Sequence, residues 1–388
     1  INQVILLVDK VAKKHIFNDY DQEGIDSFNQ VNQESFYLDR HNLTYVALEN
    51  DQVVAMATLS NNNHLSLLFV LDSYQHLGIG TKLLEIIDNL VLGDLSVNSG
   101  IEAKDFYLKA GFELTDNLIK KDGILYYPMV KKREVKQQFE NYDQVIEFIN
   151  SQKDRVYSLD NFKRYMDDLG NPQLILDCIH IGGTNGKGST TNYIKEVLKQ
   201  AGYRVATFTS PALYSRLDII RINDQFIDDK TMVKYANRYV DLWLKYEISM
   251  FEIEVFIAIM YFIENNVDIA IFEVGLGGLL DATNIIKPML AINTNIGLDH
   301  VDYLGHDYQS IALNKAGIVK DGIDYLTGET KPECLEVFKE VCKKHHSQLL
   351  QVQPITNIID GNNVAYRYRN YDIILDTPAL YQIKNSAL

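Results

Sequence analysis

The densest run of chemistry-bearing residues is Gly183-Thr184-Asn185-Gly186-Lys187-Gly188-Ser189-Thr190. An apolar run, Leu174 to Ile181, leads into it, and a helix-like run, Thr191 to Ala201, leaves it. A strand that breaks into glycines and reopens as a helix, with a lysine near the join, is suited to phosphate. Glycines let the backbone bring N–H groups close to an anion, and the free amides at a helix start favour negative charge. The common spacing G-x-x-x-x-G-K-[ST] is not met, because the loop is shorter and Gly188 follows the lysine.

Further polar residues stand where apolar runs end. Ser210 closes one run, and Glu273 closes another before Gly275-Leu276-Gly277-Gly278. Beyond Ile296 come Gly297-Leu298-Asp299-His300, and a short helix over 310–319 carries Lys315. A hydroxyl, a carboxylate, an imidazole and a lysine converging on a phosphate loop form a magnesium–nucleotide site. Taken singly, His300 reads as an ordinary loop histidine and Glu273 as a surface carboxylate. A carboxylate at the end of a wholly apolar strand would, however, be costly to bury uncompensated.

These residues need a scaffold that gathers strand ends. The pattern predicts helices over 139–149 and 159–169, strands over 204–209, 267–274 and 290–296, and helices over 232–246 and 251–263. The helix leaving the glycine loop is expected to turn Tyr193, Ile194, Val197, Leu198 and Ala201 inward. Strands apolar almost throughout are buried on both faces, so the fold class is α/β, a mostly parallel sheet flanked by helices. Ligands in such sheets sit beyond the carboxyl ends of the strands. Residues 324–374 read as a strand, a helix and the start of a hairpin.

At 388 residues the chain calls for two or three domains. The charged stretch 131–138 is the expected linker, giving domains 1–133 and 134–388. A formal net charge of -15 argues against nucleic acid or an anionic membrane as partner. Cys178, Cys334 and Cys342 lack C-x-x-C spacing, which with no signal pattern suits a reducing, cytoplasmic setting. The most apolar helix, 251–263, carries Glu252 and Glu254 and is too short to span a bilayer. Cys334, Cys342, His345 and His346 suggest zinc at first sight, but they lie on or just past one helix and read as core cysteines and a helix end.

In the first third, helical periodicity is scattered over 16–36. Strands over 44–48, 53–59 and 65–71 read as a meander. The last runs into Gln75-His76-Leu77-Gly78-Ile79-Gly80, followed by helices over 81–91 and 102–110. With Phe106-Tyr107-Leu108-Lys109-Ala110-Gly111-Phe112 this resembles the GNAT acetyltransferase family, an N-terminal mixed sheet with helices. The resemblance implies that the amides of Leu77, Gly78, Ile79 and Gly80 hold the pyrophosphate of acetyl-CoA. It also implies that Tyr107 protonates the departing thiolate; a core tyrosine is the competing assignment.

From residue 139 onward the motifs are more specific. The glycine loop, Thr209-Ser210-Pro211, Phe251-Glu252, Glu273 to Gly278 and Asp281-Ala282-Thr283-Asn284 occur in order. Asn295 to His300 and Lys315-Ala316-Gly317-Ile318 follow. Together they resemble the folylpolyglutamate synthase/dihydrofolate synthase family of the Mur ligase superfamily, whose phosphate loop has this shorter spacing. The resemblance implies an ATP-dependent ligase that adds L-glutamate to folate or dihydropteroate through an acyl phosphate. Lys187 and residues 183–190 would hold ATP, Ser189 and Glu273 one Mg2+, and Ser210, Glu273 and His300 a second. Lys315 would carry a carbamate. The alternatives are an acetyl-CoA-dependent N-acetyltransferase with the ligase part a remnant, or a non-catalytic nucleotide-binding module.

Departures cluster on the substrate side. Ala212 stands where the family has His, Ile219 and Leu279 where it has Arg, and Asn314 where it has Glu. Losing an arginine removes a bidentate anion contact. The helix beginning at Gln382 resembles the one leading to the family's C-terminal domain, and without that domain turnover is expected to suffer. The domain would come from a separate chain or an in-frame continuation, or be lost with a broken gene.

Overall fold

The computed structural model describes residues 1–133, 137–153 and 159–388; of the expected linker 131–138, Glu134, Val135 and Lys136 lie outside the described residues. Two units form, Ile1–Gln138 with Asp167–Asn171, and Phe139–Met166 with Pro172–Leu388.

In the first unit, helix α1 (Asn2–His15) buries Val4, Leu7, Val8, Val11 and Ala12, the three-and-four spacing of one helical face. The scattered periodicity after it becomes α2 (Gln22–Val31) and α3 (Glu34–Leu38). Strands β1 (Asn42–Glu49), β2 (Gln52–Ser60) and β3 (His64–Val70) form the expected antiparallel meander. Helix α4 (Ile79–Leu90), β4 (Leu95–Ser99), α5 (Lys104–Lys109), β5 (Glu113–Leu114), β6 (Ile119–Lys121) and β7 (Ile124–Lys131) complete the unit. The sheet order is β1-β2-β3-β4-β7-β5, with β6 pairing β7. Parallel pairing of β3 with β4 is recorded only at His64↔Ser96 and Leu65↔Val97.

The second unit opens with α6 (Tyr142–Ser151), α7 (Leu159–Asp168), β8 (Cys178–Gly182) and α8 (Lys187–Gln200). Next come β9 (Val205–Phe208), the short β10 (Ile220–Ile222) and β11 (Gln225–Phe226), α9 (Asp229–Lys245) and α10 (Met250–Glu264). Strands β12 (Ile269–Glu273) and β13 (Leu290–Asn293) precede α11 (Val301–Leu304), α12 (Tyr308–Lys315), β14 (Tyr325–Thr327), α13 (Pro332–Lys344) and β15 (Leu349–Gln351). The chain continues through β16 (Ile355–Ile359), β17 (Val364–Tyr368), β18 (Tyr371–Leu375) and α14 (Gln382–Ala387).

The main sheet runs β11-β10-β9-β12-β8-β13-β14-β15, parallel from β9 onward, with β10 and β11 as an antiparallel edge. This is the expected α/β class. Strand β8, which feeds the glycine loop, is central and buried at every position. Helix α10 is apolar on nearly every face and sits in the core, as such a helix must. No helix among the described residues is long and apolar enough to cross a membrane.

Two expectations require correction. The apolar run 174–181 is not one strand, because Pro172–Ile175 forms a 3-10 turn and β8 begins only at Cys178. Nor does α8 turn Val197 and Ala201 inward: Val197 is 69% exposed, while Thr190, Thr191 and Lys195 are buried. Ile194 and Leu198 reach the face of the sheet formed by Ile179, Ile181 and Val205. Tyr193 instead packs on the separate sheet β16-β17-β18, so two neighbours share the helix. Lys195 keeps its charge balanced at 2.8 Å from Glu196 and 3.6 Å from Asp224.

The suspected zinc residues part company. Cys334 and Cys342 are buried with Phe338 and Tyr325, whereas His345 bonds Asp321 at 2.6 Å. Among the described residues, no three His, Cys, Asp or Glu side chains gather as a metal cluster.

Candidate functional site

Strand β8 ends at Gly182, and the next residues turn over the amino end of α8. Gly183 has φ of +134°, and a Cβ there would overlap the Thr294 hydroxyl. Only glycine combines that left-handed backbone with so close an approach. Residues after β13 tie the loop down. The Thr184 amide donates to Asn295 O at 2.9 Å, the Gly297 amide to Thr184 Oγ1 at 2.9 Å, and Thr294 Oγ1 to Asn185 O at 2.7 Å. The loop is thus shaped by the neighbouring strand, and the first-turn amides of α8 remain available to an anion.

Lys187 opens α8, with Nζ 3.8 Å from Oε1 of Glu273 at the end of β12. A Cβ on Gly188 would sit 3.4 Å from Glu273 Oε2, so this carboxylate lies over the first turn, one residue from Ser189. Burial pushes the Glu273 carboxyl up to about 7, against the opposing pull of Lys187 and the Ser210 amide. Lys315 is buried, donates to Gly183 O at 3.0 Å, and is lowered to about 8 by burial and by the neighbouring Lys187. The strand ends therefore bring together Gly183–Thr190, Ser210, Glu273 and Lys315. His300 is exposed, sits at the N-cap of α11 in a left-handed conformation, and has Nε2 3.7 Å from Asp299 Oδ2.

The C-terminal helix supplies partners that local spacing does not assign to this site. Gln382 Nε2 donates to Ser189 Oγ at 3.3 Å, Thr190 Oγ1 donates to Asn385 O at 3.2 Å, and the Asn385 side chain lies over Gly186. The Q-x-x-N pattern is visible in the sequence, but nothing local places it against residues some 200 positions earlier.

In the first unit, a cavity of about 640 Å³ lies between Leu67–Val70 of β3 and Asn98 and Gly100 at the end of β4, beyond the last recorded pair of the two strands. Gly78, Ile79 and Gly80, at the start of α4, and Tyr107 of α5 line it. Leu77 lies in the same loop and is exposed. Tyr107 is itself buried, edge-on to Phe106 and Phe112, and burial raises its phenol above the usual value.

Residues 16–133 match the family model of the GNAT acetyltransferase domain, and residues 181–352 match that of the Mur ligase middle domain. The chain is 40% identical over 194 residues to the dihydrofolate synthase/folylpolyglutamate synthase of Bacillus subtilis, covering 48% of this chain and 45% of that protein. To the folylpolyglutamate synthase of Lacticaseibacillus casei it is 35% identical over 267 residues, 64% of this chain and 62% of the relative. A solved folylpolyglutamate synthase–AMPPCP–folate complex superposes with a TM-score of 0.59 at 30% identity, over 64% of this chain and 65% of that one. The second unit thus carries a Mur ligase middle domain and is similar to folylpolyglutamate and dihydrofolate synthases. The chain spans 45% and 62% of the length of these two curated relatives.

Within this Mur ligase unit, the departures from the family pattern have local structural roles. Asp218 accepts the amides of Leu213, Tyr214 and Ser215, at 2.8 Å for Tyr214, and so shapes the loop after β9 without an arginine beside it. Leu279 is half exposed, and its amide donates to Asn314 O at 2.9 Å. The first loop is held by a side-chain carboxylate and the second by a backbone bond.

The donor set suits a hard cation. A hydroxyl and a buried carboxylate at a helix start are oxygen ligands, and Mg2+ is commonly held by one or two such groups together with phosphate rather than by an all-protein cage. The elevated Glu273 value is the mark of a buried charge that Lys187 compensates only in part.

That value carries a pH signature. The folded chain binds this proton more tightly than the unfolded chain, so the group's contribution to stability is complete below about pH 4.5 and lost as pH rises through about 7. Denaturation midpoints measured between about pH 5 and 8 should therefore fall more steeply for the parent chain than for Glu273→Gln. Parallel slopes would remove Glu273 as the titrating group.

Proposed function

We propose that residues 134–388 carry the ATP-handling part of an amide ligase that adds L-glutamate to folate or dihydropteroate. The observation that carries this reading is the Lys187–Glu273 pair at the start of α8, with Lys315 bonded beneath the loop at Gly183. Amides of residues 183–190 and the Lys187 ammonium would hold the β- and γ-phosphates. The substrate carboxylate would attack the γ-phosphorus, releasing ADP and forming an acyl phosphate. The glutamate amine would then attack that carbonyl, expelling phosphate and losing a proton.

Magnesium bound by Ser189 and Glu273, with a second ion toward Ser210, Glu273 and His300, would neutralise charge shared between the two anions. The value of about 8 at Lys315 leaves part of its population as the neutral amine, the form that takes up carbon dioxide as a carbamate. Titration calorimetry with magnesium-ATP tests the site, and glutamate incorporation with stoichiometric phosphate release tests the reaction. Binding without turnover would leave a nucleotide-binding module, and absence of binding would overturn both readings.

A second reading concerns residues 1–133, and the cavity between β3 and β4 favours it. Acetyl-CoA would place its pyrophosphate on the amides of Leu77–Gly80 and its thioester toward Tyr107, which would act as general acid. Gly78→Glu puts a carboxylate against those amides and is expected to weaken acetyl-CoA binding by about tenfold or more. Unchanged affinity in calorimetry would exclude this loop as the anion site.

A further inference from the structure

Behind the phosphate loop, three buried side chains form a hydrogen-bond chain whose direction is forced. Asp281 accepts the amides of Leu276 at 2.8 Å and Thr283 at 3.0 Å, and also accepts the Thr283 hydroxyl in a short bond. A hydroxyl has one proton, and Thr283 gives it to the Asp281 carboxylate, whose ionised form the Leu276 and Thr283 amides and this hydroxyl support against the upward push of burial. Its oxygen then has only lone pairs to offer His180 Nε2, 2.8 Å away. The imidazole must therefore carry its proton on Nε2. Nδ1, left as a bare acceptor, is buried and has no partner among the described residues. Burial, with Lys320 nearby, lowers the ring to about 3, so it stays neutral and keeps this tautomer.

The chain links two segments of the site. His180 lies on β8, which runs into the glycine loop, with its ring on the face opposite Ile179 and Ile181. The Leu276 amide at the other end belongs to the turn that follows Glu273.

We propose that His180 is a positioning residue for the nucleotide site: its Nε2–H aims the Thr283 hydroxyl at Asp281, which pins the Leu276 amide and holds the turn that follows Glu273. The role presupposes the ATP-binding reading above. Long-range ¹H–¹⁵N spectra of the full chain should show His180 as the Nε2–H tautomer; an Nδ1–H or doubly protonated ring at neutral pH would overturn the proposal.

Outer-shell changes at cation sites cost about 10–100-fold in affinity, so His180→Leu is expected to weaken magnesium-ATP binding by about tenfold or more. His180→Gln retains an N–H donor and should recover most of that loss. Thr283→Val, which keeps the shape of the side chain, should match the leucine variant, and Thr283→Ser should restore binding. The threonine pair also reads the chain if the leucine variant does not fold. Parent-level affinity in folded His180→Leu or Thr283→Val would refute the positioning role while leaving the ATP-binding reading intact. A parent chain that fails to bind magnesium-ATP would refute that reading and this role with it.

Discussion

Lys187→Ala is expected to lower magnesium-ATP affinity by on the order of 10²–10³-fold, the size of effect seen when one preorganised charge or donor is removed from a water-poor site. The ammonium stands at the start of α8 and is the chief influence drawing Glu273 back toward ionisation. Without it, the phosphates lose a cation and the Glu273 carboxyl rises further, which weakens the oxygen set offered to magnesium. Lys187→Arg should recover little, because a wide, planar guanidinium does not present the compact point charge of an ammonium. Titration calorimetry checks both variants. An alanine variant binding within about threefold of the parent would place the phosphates elsewhere.

Gly183→Ala is expected to cost about 2–4 kcal/mol of stability and to remove nucleotide binding with it. The added Cβ meets the Thr294 hydroxyl, and the Thr294 amide nitrogen lies at 3.0 Å. Thr294 cannot yield freely, since its hydroxyl anchors Asn185 O at 2.7 Å. Gly202 provides the control, with φ of +94° but no atom within 4 Å of the position a Cβ would take. Gly202→Ala should therefore cost only the backbone part, about 1 kcal/mol. Denaturant midpoints that fall equally in the two variants would show that the crowding at Gly183 is relieved by local movement.

Much of the site is legible along the chain. The glycine loop, the carboxylate closing an apolar strand, and the lysine of α12 each depend on short-range rules: glycine where the backbone must approach closely, wholly apolar runs where a strand is covered twice, and polar groups at strand ends. The Asp281 and Thr283 bonds are equally local, two residues apart. Local rules fail where two distant elements compete for one segment. The stripe on α8 reads as facing one sheet, but Tyr193 turns to β16-β17-β18, and Val197 is left exposed. The run from Leu174 looks continuous by hydrophobicity alone, yet Pro172 initiates a turn that delays β8 to Cys178.

The sequence by itself determined the glycine loop, the α/β class and the identity of the polar residues at the strand ends, because turn chemistry and burial periodicity act over a few residues. The tertiary structure alone decided how they meet. It put Glu273 over the first turn of α8, left His300 exposed beside Asp299, and laid Gln382 and Asn385 on a loop about 200 residues earlier. It also closed the His180–Thr283–Asp281 chain, joining residues 103 positions apart with the proton direction imposed by a single hydroxyl. Such pairings follow from strand order and helix packing, which depend on the whole core and leave no periodic mark on the local sequence.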